Sequence, residues 1–155
     1  LAFNVDHGPV HPSVGYVIRY KGRSVVLSGD TQQSKAVASA ALGADVLIHE
    51  ALSPTLVGVL KAGAANAGRT NLVKIFDDIV NYHTTPQEAA TIASKANVNF
   101  LLLNHVAPPL PLPGLVDVFL KGTAEIFKGK IQVAKDGDML SLPAGQKVIQ
   151  TSNRF

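Results

Sequence analysis

The chain has 155 residues, 46% of them hydrophobic and 16% charged, with 14 Lys and Arg against 11 Asp and Glu. That size fits one domain, the apolar fraction excludes wholesale disorder, and a net charge of +3 is too small to make a nucleic-acid stripe by itself. The absence of cysteine excludes disulfides and Cys-based zinc or thiol chemistry, and no apolar stretch reaches the roughly 18–20 residues of a membrane span. From the N-terminus, Leu1 to His7 alternates loosely as a strand that stops at Gly8-Pro9. Val14 to Tyr20 is a second strand, Lys21-Gly22 a hairpin turn and Ser24 to Ser28 a third strand. A helix is expected from Ser34 to Leu42, stopped by Gly43, followed by a short apolar run, Asp45 to Glu50, that suits a buried parallel strand. Ser53-Pro54 opens a helix to about Ala64, and Leu72 to Val80 is a further short helix. Thr85-Pro86-Gln87-Glu88 has the capping-box spacing and opens a helix to Ala96. Val98 to Leu103 is another buried strand, ending at Asn104-His105, and Pro108 to Pro113 holds four prolines in six residues, an extended loop. Leu115 to Phe127 reads as one helix, with strands at Lys130 to Ala134 and Met139 to Leu142. Alternating strands and helices make the class α/β, a mixed sheet flanked by helices.

The residues able to carry chemistry sit at strand ends: His7, Asp30 in Ser28-Gly29-Asp30-Thr31, His49-Glu50, and His105. His83 lies just ahead of a helix. In open α/β sheets the carboxyl ends of the strands form the ligand-binding edge, so short loops there can converge on one point. Imidazole and carboxylate together suit zinc, and a metal so held supplies hydroxide near neutral pH, with an unligated His free to protonate a leaving group. Each residue also has a purely structural reading. His7 could be a surface turn histidine, Asp30 a helix N-cap, and His49 a core histidine with Glu50 as partner; His83 could belong to a local turn and His105 pack on the proline loop.

Taken in order, five stretches resemble the metallo-β-lactamase superfamily, in the branch of ribonuclease Z and arylsulfatase-like hydrolases. They are Val5-Asp6-His7-Gly8 with Gly15-Tyr16; Gly22 to Thr31; Ala44 to Ala51; Tyr82-His83-Thr84-Thr85 with Glu88-Ala89-Ala90; and Leu101 to His105. The resemblance implies half of an αββα sandwich. It also implies that His7, Asp30 and His105 are metal ligands, Asp30 bridging two zinc ions, with manganese or iron as alternatives. His83 would assist departure of the leaving group, and His49 and Glu50 would orient the groups around the metals. The superfamily's His-x-His-x-Asp-His motif is absent, so residues 1–155 are expected to be the C-terminal half of the domain, inactive without an N-terminal half that carries the remaining ligands. The chain begins at Leu1 without Met, in a strand, in keeping with that expectation.

The implied activity is a metal-activated hydroxide attacking a phosphodiester, sulfate ester, carboxylic ester or lactone. The alternatives are a ribonuclease Z-type endonuclease that processes tRNA 3′ ends, and a non-catalytic fragment serving as an interaction module. A small ester is favoured over RNA as substrate, because no tRNA-binding arm is recognisable and the positive charge is slight. The segment Leu52 to Asn81 is longer than the ribonuclease pattern and is read as a helical lid. An uncovered sheet face in a half-sandwich predicts self-association into a homo-oligomer. No membrane partner is expected, and the compartment is unreadable.

Overall fold

A computed structural model describes residues 1–155. Six strands form one mixed sheet in the order β1-β2-β3-β4-β5-β6. These are β1 (Ala2–His7), β2 (Val10–Tyr20), β3 (Arg23–Leu27), β4 (Val46–Leu52), β5 (Phe100–Ala107) and β6 (Lys130–Val133). β2 runs antiparallel to both neighbours, and β3 to β6 are parallel. β1, β3, β4 and β5 therefore point the same way and bring their C-terminal ends to one edge. The helices are α1 (Lys35–Ala40), α2 (Pro54–Asn66), α3 (Thr70–Ile79), α4 (Pro86–Lys95), α5 (Leu115–Phe119) and α6 (Thr123–Ile126). A separate hairpin, β7 (Asp138–Ser141) with β8 (Gln150–Asn153), ends the chain.

The pleat sorts side chains onto two faces. Val5, Val17, Val26, Leu47, Leu101 and Leu103 face the main core, where they meet Val37 of α1 and its C-cap Ala41, Ala89, Ala90 and Ala93 of α4, and Phe119. Small alanines let α4 lie close on the sheet, which is how a chain with few aromatics still fills its interior. The opposite face carries Val46, Phe100 and Leu102. Leu140, Leu142 and Ile149 of the C-terminal segment cover that part. Arg23 fastens the cover: its Nη1 donates to the carbonyls of Pro143, Gln146 and Val148, while Nη2 lies 3.0 Å from Asp45 Oδ1. Farther along the same face nothing covers Tyr16, Ile18 and Tyr20, which are 48%, 55% and 70% exposed.

Three local departures from the sequence expectations have clear causes. β2 begins at Val10 rather than Val14, because Pro12 lies where the β1–β2 pairing is irregular and its missing N–H costs no ladder bond. β5 continues past Leu103 to Ala107, through exposed polar residues that still pair with the end of β4. The single helix expected over Leu115–Phe127 is two, because Gly122 adopts the left-handed conformation (φ +83°) and stops the first. The capping box at Thr85 and Glu88 forms as its spacing requires: Thr85 Oγ1 accepts from Glu88 N–H at 3.2 Å and Glu88 Oε2 accepts from Thr85 N–H at 2.9 Å.

Candidate active site

Several of the strand-end residues lie along one edge of the sheet, linked through His83. His7 ends β1, Asp30 follows β3, Glu50 lies near the end of β4, and His105 sits late in β5. His83, from the loop before α4, stands between the two outer histidines. Its ring centroid is 4.8 Å from that of His7 and 5.7 Å from that of His105. His105 Nε2 lies 3.4 Å from Asp30 Oδ2.

Backbone strain aims these groups. Gly29 has φ +63°, and a Cβ there would lie 2.3 Å from the Val14 carbonyl oxygen. Only glycine lets the chain turn so close to β2 and present Asp30 at the edge. His105 itself has φ +43°, rare for a residue with a side chain. It falls at a β-bulge, since Glu50 pairs with Asn104 but Ala51 pairs with Val106. The bulge leaves His105 as the extra residue and turns its ring toward Asp30.

Beneath this rim lies a buried carboxylate knot. Glu50 is 1% exposed. Its Oε1 accepts from the Thr31 and Thr84 backbone N–H groups, each at 3.1 Å, and lies 3.0 Å from His83 Nδ1. Thr84 Oγ1 donates to the Thr31 carbonyl at 2.6 Å, and Leu52 N–H to the Thr84 carbonyl at 2.8 Å. The loops after β3 and before α4 are thereby tied to one side chain of β4. A carboxylate accepts only, so His83 Nδ1 carries the proton and its Nε2 is left for chemistry. The Glu50 hydrogen bond raises the His83 pKa above 6.5; burial opposes this, and the charges of Glu50 and Asp30 add to the rise.

His7 is held in the same manner. Its Nδ1 faces the Tyr82 carbonyl at 2.9 Å and must be N–H, which in the neutral tautomer puts the lone pair on Nε2. A backbone carbonyl behind an imidazole is the usual support for a metal ligand. His49 is fully buried, and its Nδ1 faces the Glu50 carbonyl at 2.7 Å. Its Nε2 finds no partner, and burial lowers its pKa, so it is neutral. The structure therefore brings His7, Asp30, His83, His105 and Glu50 together, whereas His49 hydrogen-bonds to none of the rim side chains.

The donor set, two imidazoles and one carboxylate, suits a metal ion in kind. It is open in arrangement, since no three His, Asp or Glu groups close into a preformed cage. Thr31 and Thr84, to which the sequence motifs give no role, supply the backbone N–H groups that hold Glu50. Their signal was adjacency, each following a rim residue directly.

No family model matches the chain. Over 131 residues it is 34% identical to the ribonuclease Z of Mycobacterium tuberculosis strain H37Rv and 33% identical to that of Mycolicibacterium gilvum. The match covers 84% of this chain and 44% and 42% of those proteins, and the chain spans about half the length, or less, of the curated relatives it matches. The metallo-β-lactamase fold protein YhfI from Bacillus subtilis superposes with a TM-score of 0.61 at 20% identity, over 97% of this chain and 48% of that one. Human tRNase Z, short form, superposes with a TM-score of 0.50 at 22% identity, over 87% of this chain and 39% of that one. These structures share the fold.

Proposed function

From the premise that the chain is a metallo-β-lactamase-fold relative of ribonuclease Z, we propose that it supplies the leaving-group side of a metal-dependent hydrolase site. His7, Asp30 and His105 would hold the metal, zinc by the chemistry of the donors, with Asp30 as the bridge if two ions bind. When bound, the metal would activate water and neutralise charge developing on the scissile ester. His83, whose pKa the Glu50 hydrogen bond raises, would give a proton from Nε2 to the departing oxygen, and Glu50 keeps the imidazole oriented. The single observation that carries this reading is the Glu50–His83 pair set between His7 and His105 on one sheet edge.

The bond cleaved is an ester of phosphorus, sulfur or carbon. Among these we favour a phosphodiester, because the relatives in sequence are named ribonucleases. A ribonuclease acting on tRNA is the second reading, carried by the same similarity. A small phosphodiester is placed ahead of RNA, because the net charge is only +3. We also infer that the open part of the sheet, around Tyr16, Ile18 and Tyr20, is where a second sheet completes the sandwich and brings further metal ligands; left uncovered, that face drives self-association.

The test uses the zinc-supplemented, complete protein and bis(p-nitrophenyl) phosphate. Asp30→Ala is expected to lose metal and hydrolysis together. His83→Ala is expected to lower kcat by about 10²–10⁴-fold with metal content near that of the parent. Unchanged hydrolysis in D30A rejects the assignment, and loss of metal in H83A makes His83 a ligand instead.

A further inference from the structure

Beside the histidine rim lies an open cleft of about 410 Å³. One wall is the first half of α2, with Leu56, Val59 and Leu60; the other is the proline-rich segment after β5, with Pro108, Leu112 and Leu115. No charged side chain and no aromatic ring lines it. Val59 and Leu112 are 66% and 64% exposed, so water covers apolar surface on both walls. The cleft and the rim share one joint. Pro108 follows His105 by three residues, which places their Cα atoms at most about 11 Å apart. Ser53, the N-cap of α2, donates its N–H to the Ala107 carbonyl at 2.8 Å. The next residue back, Leu52, is bonded to Thr84 beside His83.

We propose that this cleft is the subsite for an uncharged alkyl or aryl substituent of the ester cleaved at the rim. The proposal rests on the hydrolase reading above and narrows its substrate class. The volume is more than twice the about 150 Å³ that a buried benzene occupies, enough for a substituted ring or a branched chain. Nucleic acid is a poor match for these walls. Bases are held by stacking on aromatic or Arg planes and phosphates by cations, and the cleft offers neither. The one basic residue of α2, Lys61, is paired with Asp77. An apolar group in the cleft, by contrast, removes water from leucine, valine and proline surface at no electrostatic cost.

The experiment is calorimetric titration of the zinc-supplemented, complete protein with methyl-, butyl- and hexylphosphonate, which cannot be turned over. Affinity is expected to rise roughly fourfold per buried methylene. Val59→Asp and Leu112→Asp should each weaken hexylphosphonate at least tenfold while leaving methylphosphonate unchanged, and Val59→Leu should retain the parent's affinity. Both positions are largely exposed, so the variants should fold, which far-UV circular dichroism checks. Affinity independent of chain length, or indifferent to both aspartates, overturns the cleft assignment even if the protein hydrolyses esters. Displacement of hexylphosphonate by a short single-stranded RNA overturns it as well. Chain-length-dependent binding that both variants abolish, with no metal uptake or hydrolysis, upholds the cleft as an apolar subsite and overturns the hydrolase reading instead.

Discussion

Glu50 is the residue on which the candidate site turns. A buried carboxylate is costly unless its charge is met, and three donors meet this one at a single oxygen. The same contact sets the protonation of His83. Glu50→Gln should therefore lower the His83 pKa, since the carboxylate hydrogen bond that does most to raise it is gone and burial is then opposed only by the charge of Asp30. An NMR titration of the imidazole protons in metal-free protein checks this, and a pKa that stays raised would assign the shift elsewhere. In the parent, His83 stays protonated to higher pH than an unperturbed imidazole, which suits the proton donor proposed above. This pair was legible as two motif fragments 33 residues apart in the chain. That they share a proton was not legible, because it depends on how β4 and the loop before α4 are juxtaposed.

Individual elements carry two further predictions. The close approach of Gly29 to β2 leaves no room for a methyl group, and its φ is left-handed. Gly29→Ala should cost about 2 kcal/mol or more in a denaturant titration, with Asp30 displaced. A change below about 0.5 kcal/mol would show that the turn relaxes freely. The second concerns Asp45, which lies beside Arg23 just before β4. Burial pushes its carboxyl up, but hydrogen bonds from Arg23 and the Ser24 backbone and the Arg23 charge together hold it below 3.8. A carboxyl whose folded pKa is depressed adds stability above its unfolded pKa and loses it as pH falls through the folded value. Stability should thus decline below about pH 4 partly through Asp45, and Asp45→Asn should flatten that part of the profile while lowering stability at neutral pH. Equal slopes in parent and variant would remove Arg23–Asp45 as the fastening of the C-terminal segment.

At the scale of the whole molecule, the asymmetry of the sheet matters most. One face is sealed by α1, α4 and α5, while the other is covered only where β7, β8 and the segment between them reach. Replacing Ile18 by Lys should reduce concentration-dependent self-association in sedimentation without altering far-UV circular dichroism. A parent that remains monomeric at high concentration would show that the open face is innocuous. The helical hairpin of α2 and α3 packs Leu56 of α2 on the main core while α3 buries none of its residues, and Lys61 pairs with Asp77 across the two helices. Its position beside the rim is what makes the adjacent cleft a candidate for substrate contact.

The alternation of short apolar runs with alanine-rich helices determined the α/β class, because a strand buried on both faces and a helix packed on it each impose a pattern that composition alone can satisfy. Capping at Thr85 and the turn at Gly29 were equally local matters of spacing and dihedral freedom. The tertiary structure alone decided which histidines meet. His7, His83 and His105 lie at the same sheet edge because β1, β3, β4 and β5 run one way, and the bulge at His105 turns its ring toward Asp30. His49 came from an equally suggestive motif and lies fully buried against the Glu50 carbonyl. Strand direction, bulges and burial are long-range consequences of pairing, and adjacent letters such as His49 and Glu50 can end on opposite sides of them.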